Sequence, residues 1–176
     1  PTLYDLLAME ALDFYTHSES SLPLPQDDFR LANEAFFAPA AEFSLLKLTS
    51  PDSLSIQYHA LQLYQDLISF HLRDADPAAL VELDLERLQY LYKRCSLPHP
   101  ETYYENALRV LLSRYDDSPV SAIVAYKLAV LYRELGDKYQ PGVHEEYFWN
   151  YKLAVTLARE YQEKYPSSFG GKSCQG

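Results

Sequence analysis

The five histidines, His17, His59, His71, His99 and His144, are the first residues to test for acid–base or metal chemistry. None belongs to an HExxH arrangement, which sets two imidazoles on one helical face. His59 and His71 stand too far apart along one expected helix to share an ion. His144-Glu145-Glu146 reads as a solvated helix start rather than a ligand set, because real ligand sets are more specific. Asp74 and Asp76 carry a fragment of a calcium loop without its glycine or distal glutamate, so Asp76 reads as a helix cap. Nucleophile elbows and Walker loops are missing. Gly170-Gly171-Lys172-Ser173 has the closing letters of a phosphate loop, but lacks the earlier glycine and follows a helix where a strand is required. The pair Glu82/Glu86 falls on an expected exposed helix surface, where no cleft would raise a carboxyl pKa. No catalytic, cofactor-binding or metal-ligating residue is assigned, no cofactor is expected, and the chain is expected not to be an enzyme.

The 16 tyrosines are the chain's most distinctive residues. A tyrosine suits helix packing in which the ring is dry and the hydroxyl wet. By spacing, Tyr58, Tyr64, Tyr92, Tyr126, Tyr132, Tyr151 and Tyr161 are expected mostly in the core. Tyr103, Tyr104, Tyr139 and Tyr147 are the candidates for a partner groove, since aromatic anchors dominate interfaces.

A net charge of −10 repels a phosphate backbone, so nucleic acid is not an expected partner. The acids Glu82, Asp84, Glu86, Glu145 and Glu146 read as solvated helix faces. No apolar run approaches the ~18 residues of a membrane span. Cys95 and Cys174 form no CxxC pair; free thiols are the expectation, with a disulfide between them left open. Hydrophobic content of 48% with a mean hydropathy of −0.28 allows both a core and solubility, and only 5 glycines argue against a turn-rich β fold.

The elements that would position these residues are helices. Proline sits where a helix should begin at Ser50-Pro51-Asp52, Asp76-Pro77-Ala78, His99-Pro100-Glu101 and Ser118-Pro119-Val120. At the first helical position proline loses no backbone bond and its φ is already helical. Periodicity predicts a helix over 3–15 with Leu3, Leu6, Leu7, Ala11 and Phe14 on its stripe, a loop over 16–31, and irregular helical turns near 31–37 and 40–48. Helices are predicted over 51–72 (Leu54, Tyr58, Leu61, Ile68), 77–94 (Val81, Leu85, Leu88, Tyr92) and 100–115 (Tyr104, Leu108, Leu111, Tyr115). Two more follow over 119–135 (Val124, Leu128, Leu131, Leu135), stopped by a left-handed Gly136, and 145–165 (Tyr151, Ala154, Ala158, Tyr161, Tyr165).

Short links make neighbouring helices antiparallel. The expected fold is therefore all-α: antiparallel helix pairs stacked as a tetratricopeptide-like right-handed array. It would be a single helical domain over 1–176, irregular across residues 1–48 and a regular helix-pair array across 49–168. The tetratricopeptide repeat runs about 34 residues with fixed small and aromatic offsets. With Pro119 closing one repeat, Ala107 and Leu111 precede it in register, and Leu128, Ala129 and Tyr132 occupy the leucine, small-residue and tyrosine offsets of the next. Ala125 stands where an aromatic belongs. An insertion over 136–146 then separates them from the matching Ala154 and Pro166.

Several strings resemble one known region. They are Pro1-Thr2-Leu3-Tyr4-Asp5-Leu6-Leu7-Ala8, Phe37-Ala38-Pro39-Ala40-Ala41-Glu42-Phe43, Ala60-Leu61-Gln62-Leu63-Tyr64-Gln65-Asp66-Leu67 and Phe70-His71-Leu72, with Ala125-Tyr126 and Tyr139-Gln140-Pro141. Together they resemble the N-terminal helical region of large bacterial alpha-2-macroglobulin-like proteins, over nearly all of this chain and a small portion of such a protein. The resemblance implies a fragment of a larger protein of the cell envelope, periplasmic or outer-membrane-anchored, whose parent traps proteases. It implies an appended, non-catalytic module that contacts other domains of its own chain or a partner protein, without inserting into a membrane. Cys174-Gln175-Gly176 lacks the Cys-x-Glu-Gln of thioester members, so no thioester residue carries over. The alternative is a stand-alone tetratricopeptide-like domain that binds a peptide or glycan in an envelope complex.

Overall fold

The computed structural model describes residues 2–17, 29–52 and 54–175. Among them every regular element is helical, and none is long and apolar enough to cross a membrane. The elements are α1 (Leu3–His17), a 3-10 turn (Glu34–Phe37), α2 (Ala40–Phe43), α3 (Ile56–His71), α4 (Ala78–Arg94), α5 (Pro100–Arg114), α6 (Ser121–Gly136), a 3-10 turn (Glu145–Tyr147), α7 (Asn150–Lys164) and α8 (Phe169–Ser173). The chain forms two compact units, residues 1–103 and 104–176. Most of the loop expected over 16–31 lies outside the described residues.

In the first unit, α1 packs on α3 and α3 on α4. A reciprocal cap opens α1: Asp5 accepts the Thr2 N–H at 2.5 Å, and Thr2 Oγ1 accepts the Asp5 N–H at 3.2 Å. The stripe expected to be buried on α1 faces solvent instead: Leu3, Leu6, Leu7 and Phe14 are exposed, while Ala8, Leu12 and Asp5 are buried. Apolar residues surround most of this helix, so its period cannot choose a face; contact with α3 does.

The segment before α3 is held from a distance. Arg87 of α4 is fully buried. Its Nε and Nη2 donate to Asp84 at 2.8 and 2.6 Å, Nη1 donates to the Phe36 carbonyl, and Nη2 to the Ala38 carbonyl at 2.9 Å. The guanidinium lies 4.2 Å from the Phe43 ring centre. Asp84, expected on a solvated face, is thus buried as the partner of a buried cation. Burial pulls the Arg87 guanidinium below its usual range, and Asp84 opposes that. Gln65 Nε2 of α3 donates to the carbonyls of Phe43 and Leu46, both at 2.8 Å, closing the end of α2.

The proline starts divide. Pro100 opens α5 as expected, with His99 before it at φ 52. Pro77 stands one residue ahead of α4, and the Asp76 carboxylate accepts the Ala78 N–H at 3.0 Å. Pro119 lies in a tight turn in which the Ser121 N–H bonds back to Ser118 O at 2.9 Å, and α6 begins at Ser121. Pro51 starts nothing: Ser50 and Asp52 close local turns of their own, and α3 begins only at Ile56, where Ser55 accepts the Tyr58 N–H. Leu54, expected on the α3 stripe, is therefore outside the helix and 83% exposed.

In the second unit, α6 packs on α7 and α8 packs on both. Ala122 near the start of α6 meets Tyr161 near the end of α7, while Gly136 at the end of α6 meets Tyr151 at the start of α7, so this pair runs antiparallel. Val124, Leu128, Leu131 and Leu135 are buried as expected. Gly136 is not a left-handed stop; it lies within α6, and a Cβ there would sit 2.9 Å from the Tyr151 ring. It is glycine because an aromatic ring covers it.

Candidate functional site

The α6–α7 pair is built on small residues. Ala125, Ala129 and Ala154 are buried, which lets two backbones approach closely. On one side of the pair this leaves a groove of about 350 Å³. Tyr126, Ala129, Val130 and Arg133 share a stripe of α6, and Tyr151, Ala154, Val155, Ala158 and Arg159 share a stripe of α7. Ser173, Cys174 and Gln175 at the end of α8 complete the lining. Burial pushes the Cys174 thiol up, so it stays protonated and uncharged. Arg133 and Arg159 are exposed.

The placement of α8 explains Gly170-Gly171-Lys172-Ser173. A Cβ on Gly170 would lie 2.1 Å from the Ile123 backbone nitrogen, and one on Gly171 2.0 Å from the Tyr165 carbonyl oxygen. The Ser168 hydroxyl caps α8 by accepting the Gly171 N–H at 2.9 Å. These glycines serve close backbone packing on α6 and on the turn after α7.

Tyrosine hydroxyls tie the second unit together by donating to carboxylates. Tyr132 donates to Glu105 at 2.9 Å, and Arg109 donates to the same oxygen at 2.9 Å. Tyr161 donates to Asp116, Tyr165 donates to the Asp116 carbonyl at 2.7 Å, and Tyr151 donates to Asp137. Burial first, then the carboxylate, raises the pKa of both Tyr132 and Tyr161. The hydrogen bonds from Lys164 and then Tyr161 hold the Asp116 carboxyl below its usual range. Tyr151, expected in the core, is 48% exposed: its ring covers Gly136 and its hydroxyl reaches beyond the end of α6.

Two further cavities lie among the described residues. In the first unit, about 620 Å³ opens between α1 and α4 over Tyr64 and Tyr90, with Glu10, Asp13, Glu86, Lys93 and Arg94 in its lining. In the second, about 420 Å³ lies among α5, α6 and α7, with Arg109, Asp116 and Glu160 as its charged groups.

The four groove tyrosines lie outside the linings of these three cavities. Tyr103 stacks on Phe37 with ring centres 5.9 Å apart, and Tyr104 is buried. Tyr139 meets Phe148 edge-on at 5.3 Å, and Tyr147 leans on His144 at 6.0 Å. Among the histidines, His59 stacks on Tyr15, His99 lies 3.5 Å from Glu101 and His144 3.3 Å from Glu146. His71 lies between Asp74, 2.7 Å from Nδ1, and Asp5, 3.5 Å from Nε2. Among the described residues no three His, Cys, Asp or Glu side chains gather as a metal site. Cys95 and Cys174 are free thiols. Arg133 and Arg159 escape a reading by sequence, although each shares a helical stripe with an alanine of the repeat register.

The chain matches no protein-family model, no curated protein and no solved structure.

Proposed function

We propose that this chain is a non-catalytic helical interaction module whose helix pairs stack in the tetratricopeptide manner, carried within an alpha-2-macroglobulin-like envelope protein. One observation carries the reading. Leu128, Ala129, Tyr132 and Ala154, the residues picked out by the repeat register on either side of the insertion, are all buried in the antiparallel α6–α7 pair. The small residues bring the helices together and leave a groove, which is how a helical repeat offers a binding face without catalytic residues.

Two measurements test it. An array of short peptides probed with the 176-residue chain should retain a subset with micromolar Kd, and Ala158→Trp, which fills the groove, should release them. An array that stays blank reduces the module to a spacer. Reading the gene on both sides of the segment tests the parent. Macroglobulin β-domains and a bait region downstream support the envelope protein, while a reading frame that closes near residue 176 replaces it with a stand-alone repeat domain that binds peptide or glycan.

A further inference from the structure

We infer that the α6–α7 groove takes an acidic peptide segment that seats an apolar side chain between two arginine heads. This rests on the interaction-module reading and names the chemistry of its partner.

The groove's charge carries the inference. The sequence holds 25 acidic and 15 basic residues, so an average surface of this chain is negative. The groove reverses that: among the described residues its charged lining is Arg133 and Arg159, with no aspartate or glutamate. Two other cavities among the described residues mix the signs, Glu10, Asp13 and Glu86 with Lys93 and Arg94 in one, and Asp116 and Glu160 with Arg109 in the other. Two other cations of the second unit are paired at short range, Arg109 with Glu105 at 2.9 Å and Lys164 with Asp116 at 2.8 Å. Among the described residues Arg133 and Arg159 have no such carboxylate. A guanidinium holds its charge at all physiological pH and presents a planar fork to a carboxylate, so two open ones select carboxylate groups.

The floor specifies what lies between. Ala129, Ala154 and Ala158 keep it shallow near the backbone, while Val130 and Val155 give it an apolar surface. Tyr126 and Tyr151 stand at its sides, with amphipathic rings of the kind that anchor peptides at interfaces. A volume of about 350 Å³ holds one or two side chains of a peptide and is small for a folded domain's edge. The surrounding negative field disfavours long acidic tracts, so the favoured segment is short and alternates acid with apolar residues.

The test is fluorescence anisotropy with the 176-residue chain and labelled octapeptides. One alternates aspartate with leucine, one replaces the aspartates by lysine, and one replaces the leucines by serine. The aspartate–leucine peptide should bind at least tenfold tighter than either control, and Arg133→Glu with Arg159→Glu should weaken it tenfold or more. Both arginines are exposed, so an unchanged thermal melt establishes that the variant is folded; Arg159→Met alone, expected to cost a smaller factor, serves if the double variant is not. Equal or tighter binding of the lysine peptide, with release by Ala158→Trp, overturns the acidic partner and leaves the interaction module standing. Binding of no peptide overturns both. Retention on phosphatidylglycerol vesicles, with no peptide binding, replaces the peptide by an anionic membrane surface and overturns the inference.

Discussion

Tyr161 donates its hydroxyl to Asp116 across 2.5 Å, and Lys164 reaches the same carboxylate oxygen at 2.8 Å. One acid therefore holds a neutral phenol and an ammonium, both from the last turn of α7, against the turn that precedes α6. Lys164 also lies 5.6 Å from the Tyr161 ring centre and 5.5 Å from that of Tyr165. Tyr161→Phe keeps the ring and removes the bond. It should lower stability by about 1 kcal/mol, the typical net worth of an intramolecular hydrogen bond, because the acceptor is half-exposed. In a denaturation-monitored double cycle with Asp116→Asn, additive effects would show the pair to be uncoupled.

The same groups set the limits of pH. Asp116 has a depressed folded pKa, so its contribution is present above the unfolded aspartate value of about 3.9 and is lost as pH falls below it. Asp5, held down first by the Thr2 N–H, acts in the same direction on α1. The tyrosines work from the other end. Tyr64, Tyr132 and Tyr161 are raised, and Tyr90 is pushed up to about 12 by burial. For these groups stability is full below the unfolded tyrosine value of about 10 and is lost as pH climbs through the folded values. Melting temperature should hold from near neutrality to about pH 10 and then fall, with the last part of the tyrosinate absorbance, that of these buried rings, appearing together with unfolding. Complete tyrosinate absorbance reached while the protein is still folded would contradict the burial of these rings.

Gly170→Ala places a methyl group against backbone rather than a movable side chain, so α8 must leave α6. The expected cost is about 1–3 kcal/mol, the range for overpacking a tight contact. Hydrogen exchange should quicken across α8 and the first turn of α6 while α3 and α4 keep their protection. Unchanged exchange there would remove the close approach.

Asp84→Ala leaves the Arg87 guanidinium buried with only carbonyl acceptors, and should cost about 3–5 kcal/mol. Asp84→Leu combined with Arg87→Met removes the charge along with its partner and should cost less than the single change. If the double variant is the weaker of the two, the ion pair itself stabilises the first unit.

Much of the helical skeleton is legible in the sequence because its signals are local. The stripes of α4, α5 and α6 follow from period alone, and the Asp76 cap and the Pro100 start follow from the chemistry of single residues. What is not legible depends on neighbours far along the chain. The outward face of α1 is as apolar as the inward one, so only α3 decides between them. Gly136 resembles a stop because glycine usually frees the backbone at a helix end, whereas here it makes room for the Tyr151 ring. Asp84, beside Glu82 and Glu86, resembles part of a solvated face because acids spread along a helix usually face water, whereas here it is drawn inside by Arg87. The groove arginines are masked by the chain's overall acidity, which hides a local reversal of sign.

The two distant clamps on the segment around α2 bear on how the protein is made. Gln65 reaches back 22 and 19 residues to its carbonyls, and Arg87 reaches back 51 and 49. A helix of four residues has no stability of its own, since nucleation alone outweighs so few bonds. During synthesis the segment from Phe29 to Leu48 thus emerges well before the side chains that fix it, and its aromatic rings wait exposed until α4 has followed. Nascent chains stalled before Arg87 should be cut by protease within this segment, and chains stalled well beyond it should resist, so the segment cannot close until α4 has emerged and a slow ribosome would leave its apolar surface uncovered.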